Sequence, residues 1–133
     1  MTSVELKERL KAVQKEECNV HCLDCGDRAP TWASLLVPPP GSPPDCPTLG
    51  ILCCFHCSGV HRSLGTHILF VRSITLDEWK ESDVEAMELG GNRRGNQLFE
   101  AKLRDASMKP TSRSEMAERK KFCHSKYVDR KFF

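Results

Sequence analysis

The chain has 133 residues, with 20 lysines and arginines against 18 aspartates and glutamates and a formal net charge of +2. So small an excess gives no argument for a nucleic acid or a membrane as partner from bulk electrostatics. The charged N-terminal segment lacks the apolar region of a secretory signal, and no stretch approaches the roughly 18 apolar residues of a membrane span. The length suits one domain with a modest core, of the kind that a metal or disulfides often reinforce.

An amphipathic helix is predicted first, over about residues 3–17. Its apolar residues recur near one helical face: Val4, Leu6, Leu10 and Val13. Gly26 and Pro30 then predict turns, and the large side chain of Trp32 is expected to be mostly buried. The helix over about residues 3–17 is predicted to cover part of the core with its apolar face.

A proline-rich segment interrupts the chain at residues 36–48, which hold six prolines and a glycine. This composition predicts a loop or a polyproline-like excursion, since neither a helix nor a central strand tolerates it. The flanking segments LGILCC and HILFVRSITL are rich in β-forming residues and predict a small sheet. Its inward candidates are Ile68, Phe70, Val71 and Ile74.

Helices are predicted to follow the sheet. Ser82 and Glu85 form a capping-box pattern, and Gly90 with Gly91 should end that helix. Asn92 is expected to cap the next helix, with apolar anchors at Leu98, Phe99 and Leu103. Residues 114–132 predict a last helix, capped by a serine. The predicted fold class is α+β, a small sheet surrounded by several helices.

Two C-x-x-C pairs are the strongest chemical signal: Cys22 with Cys25, and Cys54 with Cys57. This spacing lets two sulfurs from one turn reach a metal at about 2.3 Å, and two pairs complete a tetrahedral shell. Four thiolates with no open position predict one structural Zn²⁺, which contributes to folding and does not activate water. Eight cysteines without an export signal also favour metal binding over disulfides.

Two alternatives remain for these cysteines. One is a thioredoxin-like redox motif, which the presence of two pairs makes the weaker explanation. The other is a mixed site built from the overlapping C-x-x-H pairs, Cys53 with His56 or Cys18 with His21. Cys53 is expected to lie on a strand and face the core. The other cysteines are expected to be free thiols, the loop cysteine being the most exposed: Cys18, Cys46 and Cys123.

His61 and His67 flank a lone arginine, Arg62, five residues after Cys57. A cysteine held by zinc is no free nucleophile, and no Asn or Asp that could orient a catalytic histidine is identifiable, so both histidines are expected to make local hydrogen bonds. A four-thiolate zinc site has a net charge of about −2, and cations are expected near it. Arg62 is a candidate for that cation.

Further motifs extend along the chain: Pro30-Thr-Trp-Ala-Ser34, Gly50, the stretch Cys54-x-x-Cys-Ser-Gly-Val-His-Arg-x-Leu-Gly-x-His67, Val71-Arg-Ser73, Leu76-Asp-x-Trp79, Gly91-Asn92 with Asn96, and Lys126-Tyr-Val128. Together with both cysteine pairs they resemble the Arf GTPase-activating domain. The segment GNRRGNQLFEAKL before a proline is most similar to the small stromal-membrane-associated subgroup of that family. The resemblance runs from about residue 5 to the end of the chain.

The resemblance implies a zinc finger beside a small sheet and a GTPase-activating protein for an Arf-family small GTPase in its GTP-bound state. Arg62 then corresponds to the arginine finger inserted beside the nucleotide, while GTP and Mg²⁺ belong to the partner GTPase. Such a protein is a regulator and not itself an enzyme. The resemblance further suggests a partner-binding surface: Trp32, Ser63, Leu64, Gly65 and Asp77.

This sequence departs from the family at Thr48, where an asparagine is usual, directly after the proline-rich insertion. The insertion is therefore expected to affect contacts around Trp32. Residues 1–133 are predicted to form a single domain, a fragment of a longer protein, and a monomer. Its expected location is the cytoplasm, with peripheral recruitment to Golgi or endosomal membranes through the GTPase or through further domains.

The main alternative function is a non-catalytic zinc-finger module that binds an Arf-like GTPase or a vesicle-coat or cytoskeletal partner. Nucleic acid is not expected as a partner. The basic residues at 119–121 and 126–131 are interleaved with acidic ones, and the two-cysteine, two-histidine finger spacing is absent.

Overall fold

A three-stranded antiparallel sheet lies at the centre of the computed structural model, which describes residues 1–133. Its strands are β1 (Trp32–Leu36), β2 (Leu49–Cys53) and β3 (Leu69–Ser73), arranged in the order β2-β1-β3. The central strand β1 pairs with both others, so β2 and β3 are the edges. The predicted α+β class is confirmed.

Five α-helices surround the sheet: α1 (Ser3–Lys15), α2 (Phe55–Ser63), α3 (Glu81–Leu89), α4 (Asn92–Phe99) and α5 (Met116–Cys123). Short 3₁₀ turns occupy Glu17–Asn19 and Ala106–Met108, and a π-helical turn, His124–Val128, continues α5. None of these helices combines the length and the apolar character that a bilayer-spanning segment requires.

Helices cover both faces of the sheet, because successive residues of a strand point to opposite sides. On one face Ala33 and Leu35 of β1 pack with α1 and α3. The apolar residues of this first core are Leu6, Leu10, Val13, Ala33, Leu35, Leu52, Ile74, Val84, Ala86 and Met87. On the other face Leu36 packs with α2, α4 and α5, and the second core consists of Leu23, Leu36, Leu49, Ile51, Val60, Leu69, Phe99, Cys123 and Tyr127.

The close approach of α3 to β2 depends on Gly50. A Cβ atom built on this residue would lie 2.9 Å from the Cα of Met87, a backbone atom that cannot move aside. Any larger residue would push α3 away from the sheet. Glycine at this position therefore allows the first core to close.

The register of the sheet separates the proline-rich loop from the cysteines. Trp32 pairs with Cys53 and Ser73 at one end of the sheet, whereas Leu36 pairs with Leu49 at the other. The loop leaves from the Leu36 end, about 13 Å of strand away from Trp32. The expectation that the insertion affects contacts around Trp32 is therefore wrong.

Within the loop the backbone makes two consecutive tight turns. The Ser42 amide donates to the Pro39 carbonyl at 3.1 Å, and the Cys46 amide donates to the Pro43 carbonyl at 2.9 Å. An extended polyproline helix has no internal hydrogen bonds. The prediction of a loop is correct, but the segment is not polyproline-like over these residues.

Several predicted helix starts differ from the structure. Lys80 and not Ser82 precedes α3, and no side chain caps that helix. Gly91, with a φ of 92°, precedes α4, and Asn92 is its first residue. Glu115 precedes α5, so Ser114 is not its cap. The Asn92 side chain does not cap α4, because it accepts a hydrogen bond from the Leu52 amide of β2 at 2.7 Å.

Three apolar predictions also need correction. Val4, which shares the predicted apolar face of α1, is exposed. In β3 Phe70 packs against the first core as predicted, whereas Val71 is only half-buried and the fully buried residues are Leu69 and Ser73. This edge strand lies under helices on both faces, so period-two alternation does not identify its inward side. In α4 the anchor is Phe99, since Leu98 is exposed and Leu103 is only half-buried.

Candidate functional site

The first cysteine pair lies on a tight hairpin that precedes β1. His21 and Arg28 form an isolated antiparallel bridge, and inside it the Cys22 amide donates to the Asp27 carbonyl at 2.7 Å. Gly26 turns the chain in the left-handed region with a φ of 75°, directly after Cys25. The turn presents both sulfurs toward the same point.

The second pair lies where β2 passes into α2. Cys54 precedes the helix, and its sulfur accepts a hydrogen bond from the Cys57 amide at 3.4 Å. The four sulfur atoms all lie within 4.8 Å of one another, and those of Cys25 and Cys54 are 3.6 Å apart. Tetrahedral zinc with bonds near 2.3 Å separates its sulfur ligands by about 3.8 Å. The spacing and the chemistry of the donor set fit Zn²⁺.

The competing Cys/His pairs are not brought together at this point. Cys53 faces the core and lies 3.7 Å from the Ser34 hydroxyl, while the neighbouring His56 is exposed. Cys18 lies beside Asn19, and His21 is exposed. The four sulfurs of the C-x-x-C pairs alone form the cluster.

Hydrogen bonds among the four thiols lower the pKa of two of them and raise the pKa of the other two. Contact with the Cys22 thiol lowers the pKa of Cys54 to about 7 and lowers the pKa of Cys25 well below its usual range. The pKa of Cys22 and that of Cys57 are raised by the same kind of contact.

Arg119 of α5 is the cation that contacts the cluster. Its Nη1 donates to the sulfurs of Cys57 at 3.2 Å and Cys54 at 3.8 Å. Its other nitrogens donate to the carbonyls of Thr111, Ser112 and Ser114. The residue is only 2 % exposed, and burial opposes its charge while the sulfurs raise its pKa above the ordinary value. Arg62, the cation expected here from the sequence, is not in this position.

Asp24, between the first two cysteines, is the centre of a buried polar network. Its Oδ1 accepts from the Lys126 ammonium and from the Tyr127 hydroxyl, each at 2.7 Å, and its Oδ2 contacts the His61 ring. Burial alone would raise the pKa of Asp24, but Lys126 and His61 together hold it well below its usual range. Lys126 also donates to Glu100 at 2.6 Å. The hairpin is thereby tied to α2, α4 and the C-terminal turn.

His61 completes a row of side chains in the order Ser34, His61, Asp24. Its Nδ1 lies 2.6 Å from the Ser34 hydroxyl, and its Nε2 lies against Asp24. An acidic partner that the sequence did not reveal is therefore present. All three side chains are completely buried, so no substrate can reach the serine. The row holds α2 against β1. His61 makes hydrogen bonds within the fold, as predicted.

Arg62 is the next residue in α2, and it is exposed. Its guanidinium lies over the Trp32 ring, 5.6 Å from the ring centre. The Phe55 ring packs edge-to-face against the same indole at 6.0 Å, and Phe55 is 67 % exposed. Trp32 itself is partly exposed but packs against the buried cysteines, as its predicted burial requires. Two aromatic rings and one arginine thus form an open surface beside the cysteine cluster.

The family can be decided at this point by comparison with known proteins. The family model ArfGap, described as "Putative GTPase activating protein for Arf", matches residues 7–133. The chain belongs to the ArfGap family. The match covers the cysteine hairpin, the sheet, Arg62 and the C-terminal π-helical turn.

Curated ArfGap relatives match nearly the whole chain. ADP-ribosylation factor GTPase-activating protein AGD12 of Arabidopsis thaliana is 38 % identical over 127 residues, covering 95 % of this chain and 34 % of the relative. The human Arf-GAP with coiled-coil, ANK repeat and PH domain-containing protein 3 is 40 % identical over 124 residues, covering 92 % of this chain and 13 % of the relative. The chain therefore spans about a third or less of these relatives.

Solved ArfGap structures share the fold. The solution structure of the ArfGap domain of human RIP superposes with a TM-score of 0.77 at 22 % identity and covers 100 % of this chain and 89 % of its own. The ArfGap domain of HIV-1 Rev binding protein gives a TM-score of 0.75 at 21 % identity, covering 98 % of this chain and 89 % of its own.

The residues that the ArfGap resemblance assigned to a partner surface have mixed surroundings here. Ser63 is exposed, and its hydroxyl donates to the Val60 carbonyl at 2.6 Å. Leu64 is half-buried and packs against the second core. Gly65 has a φ of 101°, which favours glycine. Asp77 accepts from the Ser73 amide at 2.8 Å and so stabilises the turn after β3, whose exposed tip is Leu76.

Sequence reasoning missed the cations of the C-terminal helix of this ArfGap domain. The buried residues there recur at i, i+3, i+4, i+7 and i+8: Arg119, Phe122, Cys123, Lys126 and Tyr127. Two of them are basic, and a charged residue on an apolar helical face must be paired if it is buried. That pattern could have identified Arg119 and Lys126 as internal cations, the first beside the second cysteine pair and the second beside Asp24 of the hairpin.

Proposed function

We propose that this ArfGap chain accelerates GTP hydrolysis by an Arf-family small GTPase in its GTP-bound state, with Arg62 as the arginine finger in trans. The observation that supports this most strongly is the environment of Arg62. The guanidinium is exposed over Trp32, while the adjacent His61 is completely buried between Ser34 and Asp24. The ion pairs of the chain do not include Arg62, so its charge is free for a partner.

An arginine suits this task because of its charge and its shape. Phosphoryl transfer develops charge on the γ-phosphate oxygens and on the leaving bridge oxygen, and a planar guanidinium can neutralise it with paired hydrogen bonds. An arginine supplied in trans accelerates the reaction by about 10³ to 10⁵. GTP and Mg²⁺ belong to the partner GTPase. The chain itself acts as a regulator that contributes one side chain to another protein's active site.

The cysteine cluster has a supporting role in this proposal. Cys22, Cys25, Cys54 and Cys57 would hold one structural Zn²⁺, which closes the fold locally and leaves no position for a reactant. Cys54 and Cys57 lie in the first turn of α2, and Arg62 lies in its last turn. Fixing the start of so short a helix fixes the direction of the finger, and a displacement near 1 Å can cost a hundredfold in rate.

We assign the GTPase-contacting surface to the exposed residues around the finger. Trp32 and Phe55 provide a flat apolar contact, and large exposed aromatic groups of this kind often mark interfaces. Ser63 and Asp77 are at its edges, while Leu64 and Gly65 shape the turn that follows Arg62. The partner is expected to bind a monomer of this chain and to bring it from the cytoplasm to Golgi or endosomal membranes.

The deciding experiment is single-turnover hydrolysis on GTP-bound Arf proteins with the wild type, Arg62→Ala and Arg62→Lys. Both variants should lose about 10³-fold or more in rate. Alanine removes the charge, and lysine keeps the charge but lacks the paired planar donors of the guanidinium. Zinc content and melting temperature should be unchanged, since Arg62 makes no buried contact. If either variant stimulates hydrolysis like the wild type, the arginine-finger mechanism is wrong. If the wild type binds the GTPase without accelerating hydrolysis, the chain is a binding module and not an activator.

A further inference from the structure

A basic cleft lies between α1 and the segment that leads into β1, and none of the predicted site residues lines it. Its volume is about 350 Å³. Lys11 and Lys15 extend from α1 on one side, and Arg28 stands on the other. The remaining lining residues are uncharged: Gln14, Asn19, Val20, Ala29, Pro30 and Thr31.

The three cations of the cleft are not neutralised within the chain. No acidic side chain lines the cleft, and none of its three cations takes part in an ion pair. Lys11 and Lys15 are separated by one helical turn, where like charges destabilise a helix. The negative end of the helix dipole favours Lys15 but explains neither Lys11 nor Arg28. An anion between them would relieve the repulsion.

The backbone on the Arg28 side is held in a strained form. Ala29 has a φ of 51°, in the left-handed region that non-glycine residues rarely adopt. Its amide donates to the Val20 carbonyl at 2.8 Å, which fixes the segment across the floor of the cleft. Arg28 is thereby kept opposite α1. Strain of this kind tends to persist where it serves a binding site.

We propose that this cleft binds the phosphorylated headgroup of an anionic membrane lipid. A phosphate monoester carries close to two negative charges, so it complements three cations that line one small concave site. The exposed stripe of α1 favours a lipid over a free phosphate. Val4, Lys7, Lys11 and Lys15 follow one another at i, i+3, i+7 and i+11, and all are exposed.

The same face carries one exposed acid, Glu8, so its three lysines leave an excess of positive charge beside the valine. A face of this kind can lie on a bilayer that contains anionic lipids. Val4 is 63 % exposed, which has no explanation within the chain. The valine can enter the headgroup region while the lysines and Arg28 hold phosphate oxygens. This contact would be direct and would add to recruitment through the GTPase, and it does not depend on the proposed activity.

The test is sedimentation of the 133-residue chain with three kinds of phosphatidylcholine vesicles: pure, mixed with phosphatidylserine, and mixed with phosphatidylinositol monophosphate at equal total charge. The wild type should bind the last kind at least about fivefold more tightly than the second, because only the monoester fills the cleft. Lys11→Gln with Lys15→Gln should weaken this binding by about tenfold or more, and Arg28→Gln by about fivefold. Circular dichroism and zinc content verify that each variant is folded.

A matched control removes two positive charges elsewhere. Lys120→Gln with Lys121→Gln, both exposed on α5, should leave vesicle binding within about twofold of the wild type. The proposal is wrong if this control weakens binding as much as the α1 variant, or if phosphatidylserine serves equally well. It is also wrong if a soluble inositol phosphate binds as tightly as the vesicles, or if the cleft variants weaken only binding to the GTPase in solution.

Discussion

The Nη1 atom of Arg119 lies 3.2 Å from the sulfur of Cys57, although 62 residues separate them in the chain. The contact joins the C-terminal helix to the start of the helix that carries Arg62. Four thiolates around Zn²⁺ retain a net charge of about −2, and a buried guanidinium offsets part of it while its other donors reach three backbone carbonyls. With Zn²⁺ bound by the four sulfurs, Arg119 would couple the metal site to the packing of α5.

Replacing Arg119 should weaken both the fold and the metal site. Arg119→Met would leave the sulfurs without their cation and three carbonyls without their donor, and the expected cost is about 3 to 5 kcal/mol in the free energy of unfolding. Urea denaturation of the zinc-loaded protein measures this cost. Release of zinc to a chromogenic chelator should also be faster, whereas a purely packing role would change stability and leave the release rate at that of the wild type.

Removing one cysteine of the cluster should prevent zinc binding, while removing a cysteine outside it should not. Cys22→Ser is expected to bind no stoichiometric zinc and to lose cooperative thermal unfolding, because the binding free energy of a structural zinc is folding free energy. Cys46→Ser, a change in the exposed loop, is the control and should match the wild type. Elemental analysis by mass spectrometry reports the metal, and full zinc content in Cys22→Ser would contradict the four-cysteine site.

Truncating Phe55 should weaken contact with the GTPase without disturbing the fold. Phe55→Ala removes an exposed ring that supports the Trp32 indole, and the expected loss in catalytic efficiency on GTP-bound Arf is about 5- to 30-fold. Its melting temperature should be that of the wild type. Leu89→Ala, another exposed apolar residue at the end of α3, is the matched control. Equal losses in the two variants would show that Phe55 is not part of the GTPase-contacting surface.

Removing the proline-rich loop should leave the activity intact. Residues 37–48 connect Leu36 to Leu49, which are paired neighbours, so an Asn-Gly turn can replace them. Because the loop lies at the end of the sheet away from Trp32, the Arg62-dependent rate should change by less than about twofold. The free energy of unfolding should change by about 1 kcal/mol or less. A larger loss of hydrolysis with an unchanged melting curve would place the loop in the partner interface.

Much of this site follows from spacing along the chain. Two sulfurs in each C-x-x-C pair come from a single turn, so their approach to one metal depends on local geometry alone. The sequence did not predict α2, the helix that starts at the second pair and carries Arg62, since its interior glycine, Gly59, disfavours a helix. The family resemblance then suggested a task for the arginine, which the chemistry of the motif by itself had left open between a zinc-neighbouring cation and a finger.

Other features depend on contacts between distant segments. Asp24 pairs with Lys126, which is 102 residues away in the chain, and the sequence around neither residue indicates that the two are in contact. Asn92 has the sequence of a helix cap, but its side-chain oxygen accepts from the buried Leu52 amide of β2, while Asn19 accepts from the Asn92 amide at the start of α4 at 2.8 Å. Capping patterns describe local preference, and tertiary hydrogen bonds override them.

Local spacing thus predicted that the sulfurs of the two C-x-x-C pairs lie together, and composition predicted the proline-rich loop. The three-dimensional fold assigned the cation beside the sulfurs to Arg119 and left Arg62 facing outward over Trp32. It also placed the loop at the far end of the sheet and brought Lys11, Lys15 and Arg28 around one cleft. The physical reason is that a charge near a given site is selected by the packing of whole elements, and that packing depends on residues far apart in the chain.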